Sequence, residues 1–223
     1  MIPWEHLGDA RIPGTSDKLS LFRRDQEFSL RLERVELMNS RMHGSEEELA
    51  RVAIEGHAQG STSHVLVGGL GMGFTLRAAL DLLAPTARVT VAELIPEVVD
   101  WNTKYLGGLA GAPLTDSRVN VQVTDVADLV AAATGTFDII LLDTDNGPEG
   151  TTAEANEWLY QAEGLNALLK SLKPGGVLAV WSAFPSRAFT DRLTRAGFRV
   201  EQLNSRARKA KGARHVIWLA HRR

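Results

Sequence analysis

The sequence predicts an α/β fold of the Rossmann-like kind: a mainly parallel sheet with a C-terminal antiparallel hairpin, preceded by a short N-terminal β-hairpin and helix. Three observations carry this. From His64 to about Gly197, short apolar strands alternate with helical stretches, the mark of a parallel sheet covered on both faces. Glycines cluster directly after the first of these strands, in Gly68-Gly69-Leu70-Gly71-Met72-Gly73. The last two strands, Phe198–Leu203 and His215–Ala220, are joined by a basic segment with no room for a helix, so they must pair antiparallel.

The elements follow in order. Leu19–Arg24 and Phe28–Leu32 alternate as two strands broken at Asp25-Gln26, and Val35–Met38 continues the second. Ser45, followed by Glu46, Glu47 and Glu48, reads as the N-cap of a helix running to about His57. Val65–Val67 is a buried strand, and Phe74–Leu83 a helix stopped before Pro85. Arg88–Ala92 is a strand; Pro96 opens a helix to about Tyr105. Val119–Val123 and Phe137–Leu142 are strands flanking a helix over Val126–Ala133. A long helix over Glu154–Leu172, the strand Val177–Trp181 and a helix over Ser186–Ala196 complete the run. Five parallel strands and a terminal hairpin form the layout of methyltransferase-type Rossmann folds. The expected organisation is a small extension, 1–60, and a catalytic domain, 61–223.

Composition narrows the function classes. Of 223 residues, 44% are hydrophobic, enough for one sizeable core, and none is cysteine. Thiolate-held metals, disulfides and cysteine nucleophiles are excluded, and a cytoplasmic setting is expected. No apolar run reaches the roughly 18 residues of a membrane span. The net charge of −2 hides a basic C-terminal stretch: residues 187–223 carry eleven Lys/Arg and two Asp/Glu. No aromatic residue interleaves with Arg206–Arg214 as a single-strand reader needs, so nucleic acid is not the expected partner. The histidines show no metal-ligand spacing, and no metal is expected.

In doubly wound sheets, ligands bind at the carboxyl ends of the strands, where strand order reverses. Four such ends are informative. The glycine turn fails the G-x-G-x-x-G dinucleotide spacing and suits a nucleoside without a pyrophosphate; Gly69, Gly71 and Gly73, with Leu70, present the backbone. Glu93, ending the second strand, can accept from ribose hydroxyls, with Leu94 beside it. Asp125, with Val126, can accept from an adenine amino group or cap the helix that follows. Asp143 ends the strand Phe137–Leu142, apolar but for Asp138, and opens the loop Asp143-Thr144-Asp145-Asn146. It is the stronger candidate, with Asp145, to steady a cationic substrate or take a proton from an attacking amine. His43, Glu47 and Tyr160 are candidate substrate contacts; a loop histidine and a core tyrosine are the simpler readings.

Over HVLVGGLGMGFTLRAAL, RVTVAELIPEVVDWNTKYL, RVNVQVTDV, FDIILLDTDNGPEG and LKPGGVLAV, the chain resembles the spermidine synthase-like group of S-adenosylmethionine-dependent transferases. The resemblance implies a ribose-binding role for Glu93, an adenine-side role for Asp125 and an amine-activating role for Asp143. Asp145 or Asn146 stands near the family's second loop aspartate. Aligned on Thr75-Leu76-Arg77, Met72 occupies a position where aminopropyltransferases carry the aspartate that holds the amine of decarboxylated S-adenosylmethionine. The expectation is therefore methyl transfer from S-adenosylmethionine to a small amine. The alternatives are aminopropyl transfer from the decarboxylated cofactor, as in polyamine synthesis, and a non-catalytic nucleoside-binding or RNA-associated module. A small-molecule substrate is expected, and a homodimer is compatible with the resemblance.

Overall fold

The structure is a computed structural model that describes residues 2–57, 63–144, 158–208 and 211–223. It contains two sheets. The N-terminal one is four-stranded and antiparallel, in the order β1 (Glu5–Arg11), β2 (Lys18–Arg24), β3 (Glu27–Leu32), β4 (Val35–Asn39). The expected hairpin is β2–β3. Val35–Met38 is a separate strand rather than a continuation, because the chain reverses at Glu33, whose φ is +51°. β1 escapes the sequence pattern because its residues are mostly polar and its register slips between His6 and Gly8.

The larger sheet has seven strands. β5 (His64–Gly68), β6 (Arg88–Glu93), β7 (Val119–Val123), β8 (Phe137–Leu142) and β9 (Leu172–Ser182) run parallel; β11 (Lys211–Arg222) joins β9 antiparallel and β10 (Phe198–Arg208) pairs with β11. The order is β10-β11-β9-β8-β5-β6-β7. β5 lies between β6 and β8, so strand order reverses at its carboxyl end. The sequence reading of a parallel sheet with a terminal hairpin holds, although both hairpin strands are longer than expected. The β9 assignment begins at Leu172, with its pairing to β8 interrupted between Phe137 and Ile139 around Pro174-Gly175-Gly176.

Strand periodicity distributes the core. Val65, Val67, Ile139, Leu141, Val177 and Ala179 pack on one face with α1 (Gly44–Gly56) and α2 (Phe74–Leu82). Leu66, Ile140, Leu142, Leu178 and Val180 pack on the other, with α4 (Val126–Ala132), α5 (Ala162–Ser171) and α6 (Arg187–Arg195). Fully burying each such side chain contributes about 1.5–3 kcal/mol. The central strands are therefore held rigidly by apolar residues, leaving their ends to carry polar chemistry.

Three helix details differ from expectation. The cap position of α1 is His43, and Ser45 lies inside the helix. The Pro96 helix, α3 (Pro96–Trp101), continues as a π-turn over Asn102–Leu106. Of the expected helix over 154–172, residues 154–157 lie outside the described residues; Trp158–Tyr160 are helical, and a bend at Gln161 separates them from α5, which ends at Ser171. Among the described residues no helix is long and apolar enough to cross a membrane.

At the amino ends of the strands, Asp138 accepts from the His64 backbone N–H at 2.7 Å and from Lys173 Nζ at 2.7 Å, tying β5, β8 and β9 together. Its partners would be stranded by truncation. Asp138→Ala is expected to lower the unfolding free energy by about 1–3 kcal/mol, measured by urea denaturation, with the cofactor end unaffected.

Candidate active site

The carboxyl ends of the parallel strands form the floor of a cavity of about 190 Å³. Across it, in strand order, stand Trp181 (β9), Asp143 (after β8), Gly69 and Gly71 (after β5), Glu93 (β6), and Thr124 and Asp125 (after β7). The apolar face of the N-terminal sheet supplies Leu19, Leu30, Leu37 and Met38, and α1 supplies Glu46.

The turns are locked by backbone bonds that continue the sheet past its strands. Gly69 N–H donates to Ala92 O at 2.9 Å, Asp143 N–H to Gly68 O at 3.0 Å, and Thr124 N–H to Glu93 O at 3.0 Å. Gly69 has φ +89°, and a Cβ there would lie 2.7 Å from the Asp143 carbonyl oxygen. No other residue lets the β5 and β8 turns approach this closely. At Gly71 (φ +51°) a Cβ would meet the sulfur of Met38 at 3.0 Å, so a bare backbone also lets the N-terminal sheet close over the turn.

Glu93 is buried, with 6% of its surface exposed. Its Oε2 accepts from Leu70 N–H at 2.8 Å and its Oε1 from Ile95 N–H at 2.9 Å. A carboxylate accepts at about four positions, so two backbone donors fix its plane while the group still lines the cavity. That suits a vicinal diol. Asp125 lines the cavity and also caps α4, its Oδ1 accepting from Ala127 N–H at 2.8 Å. Both readings of that residue hold together. Leu94 and Val126 line the same end. These residues fit an adenosine group, with the bare Gly69 and Gly71 backbone beneath it.

The other end is acidic. Asp143 Oδ2 accepts from Thr75 Oγ1 at 2.5 Å. Glu46, only 8% exposed, accepts from Ser45 Oγ at 2.7 Å. Burial first, and the charge of Asp143 second, push the Glu46 carboxyl up to about 7. Two carboxyl groups therefore share one poorly solvated chamber, and their combined charge is relieved by a proton or by a cation.

Several candidates sit elsewhere. Leu70 contributes its N–H to Glu93 and Gly73 starts α2 with its missing Cβ toward Pro113 and Asn102; neither is among the residues lining the cavity. His43 stacks on Phe74 (centroids 4.1 Å apart, 14° between planes) and bonds Glu47 at 2.8 Å; neither lines the cavity. Tyr160 is buried and reaches the site through Thr144, its hydroxyl 2.8 Å from Thr144 Oγ1. Asp145 lies outside the described residues. Conversely, Glu46, Thr75, Thr144 and Trp181 are not among the site residues read from the sequence; for Glu46 the signals are the run of acids at 46–48 and the faint echo, in Ser45-Glu46-Glu47, of a Tyr-His-Glu pattern of the resembled family. Among the described residues no group of side chains could hold a metal ion.

The spermine/spermidine synthase domain family matches residues 42–186, well over half the chain, a span that holds Glu46, Glu93, Asp125, Asp143 and Trp181. The chain belongs to this family. Spermine/spermidine synthase relatives include the polyamine aminopropyltransferase of Prochlorococcus marinus, 30% identical over 55% of this chain and 41% of that protein. The Pseudomonas syringae pv. tomato enzyme of the same name is 28% identical over 68% of this chain and 50% of its own length. The chain thus spans half or less of these curated relatives. In fold it is similar to the spermidine synthase of Thermotoga maritima, with TM-score 0.76 and 18% identity, covering 98% of this chain and 72% of that one. A probable spermidine synthase from Corynebacterium glutamicum gives TM-score 0.67 and 16% identity, covering 97% and 79%.

These relatives do not support the preference for methyl transfer, which rested on Met72. Met72 is fully buried in the core and outside the cavity wall, while a carboxyl group reaches the same chamber from Glu46 on α1.

The raised Glu46 group has a measurable consequence. Its carboxyl prefers the proton more in the folded chain than in the unfolded one, where 4.5 is the ordinary value. Its protonated form therefore favours folding at low pH, and that advantage fades as pH rises from about 5 to about 8. Relative to Glu46→Gln, which mimics the protonated acid, the wild type is expected to lose on the order of 3 kcal/mol across that range. Denaturation curves at several pH values measure the difference; parallel curves for the two proteins would refute it.

Proposed function

We propose that this protein transfers an aminopropyl group from decarboxylated S-adenosylmethionine to an amine. The observation that carries this reading is the pair of buried Glu46 and half-buried Asp143 beside the glycine turn. An ammonium group in that chamber satisfies both acids. The carboxylate of ordinary S-adenosylmethionine would instead face them, and a like-charge contact near 4 Å costs about 4 kcal/mol at an effective dielectric of about 20. That is nearly three decades in affinity. The names of the curated relatives support the same choice, as does a spermidine synthase of similar fold in complex with the transition-state analogue AdoDATO.

The bound cofactor supplies a carbon activated by its sulfonium. Glu93 and Asp125 hold the nucleoside by its ribose and base edges, and the Gly69–Gly71 backbone lets it lie close to the strand ends. Asp143, oriented by Thr75, faces the acceptor. There it takes the proton from the attacking ammonium, so that the nitrogen lone pair forms the new N–C bond. The C–S bond breaks with its electron pair passing to sulfur, leaving a neutral thioether nucleoside. Holding nucleophile and carbon in line is the larger contribution, and proton removal adds about 10²–10⁴ in rate.

Incubation with decarboxylated S-adenosylmethionine and an amine, read by mass spectrometry, is expected to give an aminopropylated product and 5′-methylthioadenosine. Asp143→Asn is expected to slow turnover by about 10²–10⁴. Faster methyl transfer from ordinary S-adenosylmethionine would overturn the proposal.

A further inference from the structure

We infer that Glu46 is the residue that selects the decarboxylated cofactor, giving up a proton to solvent as the cofactor's ammonium group docks on its carboxylate. The inference rests on the aminopropyl reading above and divides the acid pair between the two amines of the reaction. Glu46 serves the cofactor, and Asp143 serves the acceptor.

Placement comes first. The glycine turn, Gly68 to Gly73, has no acid of its own, and Met72 within it is buried in the core. α1 packs along α2, and Thr75 in the first turn of α2 brings both acids to the turn. Its Oγ1 donates to Asp143 Oδ2 at 2.5 Å and lies 3.5 Å from the Glu46 carbonyl oxygen. The Glu46 side chain is buried, yet it lines the cavity. With the ribose at Glu93 and the Gly69–Gly71 backbone beneath the nucleoside, the corner shared by Glu46 and Asp143 is the acidic part of the chamber left for the aminopropyl chain.

The charges that act on Glu46 are those of Asp143 and Glu47, both acids. Glu47 bonds His43 outside the cavity wall. Among the described residues that wall carries no basic side chain, and the segment 145–157, outside them, contains no Lys, Arg or His. The elements packed on α1 keep their own charges occupied or distant. On α2, Arg77 pairs with Asp81. Asp138 of β8 pairs with Lys173 of β9 at the amino ends of the strands. Arg199 and Glu201 of β10 are exposed, and His221 of β11 lies by Gly56, at the opposite end of α1. His215 packs on Trp181, and burial holds its imidazole below the ordinary value, so it is uncharged at neutral pH.

An acid so placed keeps its proton until a cation arrives. Burial first and Asp143 second push the Glu46 carboxyl up to about 7. An ammonium group reverses both effects: it supplies the opposite charge and replaces hydrogen bonds lost with water. The carboxyl then ionises, and its proton passes to the buffer. The carboxylate of ordinary S-adenosylmethionine brings a like charge to the same corner, so with that ligand Glu46 retains its proton. The exchange also leaves Asp143 beside a neutral ion pair, ionised and able to take the acceptor's proton.

Isothermal titration in two buffers of different ionisation enthalpy counts the protons released per ligand bound. With decarboxylated S-adenosylmethionine the wild type is expected to release about one proton at pH 6 and close to none at pH 8, and to bind about tenfold more tightly at pH 8. The cofactor's own amine stays charged throughout, because an alkylamine titrates near about 10. Neither 5′-methylthioadenosine, which lacks the ammonium, nor ordinary S-adenosylmethionine is expected to release a proton. Glu46→Gln is expected to abolish the release and to weaken the decarboxylated cofactor at least about tenfold at pH 8, with 5′-methylthioadenosine held within about threefold. The wild-type count stands by itself if the variant loses its cooperative melting transition. Decarboxylated cofactor bound at pH 6 without proton release, or with the same release from a folded Glu46→Gln protein, would overturn the inference and leave the aminopropyl reading standing. Binding of 5′-methylthioadenosine but not of the decarboxylated cofactor would overturn that reading, and the inference with it.

Discussion

Two backbone N–H groups from different turns converge on one buried carboxylate, that of Glu93, and the site depends on this clamp. One donor belongs to Leu70 in the glycine turn and the other to Ile95 at the start of α3. A buried carboxylate is tolerated only when hydrogen bonds replace the water it has lost. Here they come from the two segments that must be held still if a ribose is to lie between them. The glycine turn is therefore held from outside as well as by its own backbone. The Gly69–Asp143 contact then carries the constraint one strand further, to the acid that faces the acceptor. A line of polar groups from Asp125 to Asp143 is thus spaced by the strands themselves, which apolar packing on both faces keeps in register.

Much of this was legible in the sequence. Glu93, Asp125 and Asp143 each terminate or follow a strand, and the parallel-sheet rule sends such residues to one edge. The G-x-G-x-G spacing argues against a dinucleotide site without reference to any contact. Other features were hidden for stated reasons. Glu46 looked like an ordinary acid in the first turn of a helix, where acids favour the helix dipole. Only the packing of α1 over the strand ends turns it into a cavity wall. Trp181 closes an apolar strand and reads as core until the strand order puts it beside Asp143. The four-stranded N-terminal sheet was half seen, because β1 alternates too weakly and β4 follows β3 through a tight turn at Glu33.

Met72 shows how a position-by-position carry-over can mislead. A methionine where relatives have an acid seemed to remove the contact that recognises a decarboxylated cofactor. The side chain turns into the core, and an acid from helix α1 enters the chamber instead. What matters electrostatically is the charge present in a volume, and two unrelated backbone positions can supply it. The N-terminal sheet matters in the same spatial sense: Leu30, Leu37 and Met38 keep water from the floor, and a drier chamber makes each remaining charge count for more.

The π-turn after α3 has a consequence for which side chains the glycine turn tolerates around it. It leads off from Asn102, 2% exposed, whose amide donates to the Gly71 carbonyl at 2.8 Å and to Val98 O at 2.9 Å. Asn102 and the glycine turn stand 31 positions apart in the chain, yet one reads the other's backbone directly. Losing the Asn102 amide would take this donor from the Gly71 carbonyl, so the side chain at 102 is constrained by the turn it braces. An aspartate at 102, nearly identical in shape, would set an oxygen against the Gly71 carbonyl and be rejected. The glycine turn in this chain is thus completed by a side chain from a segment outside it.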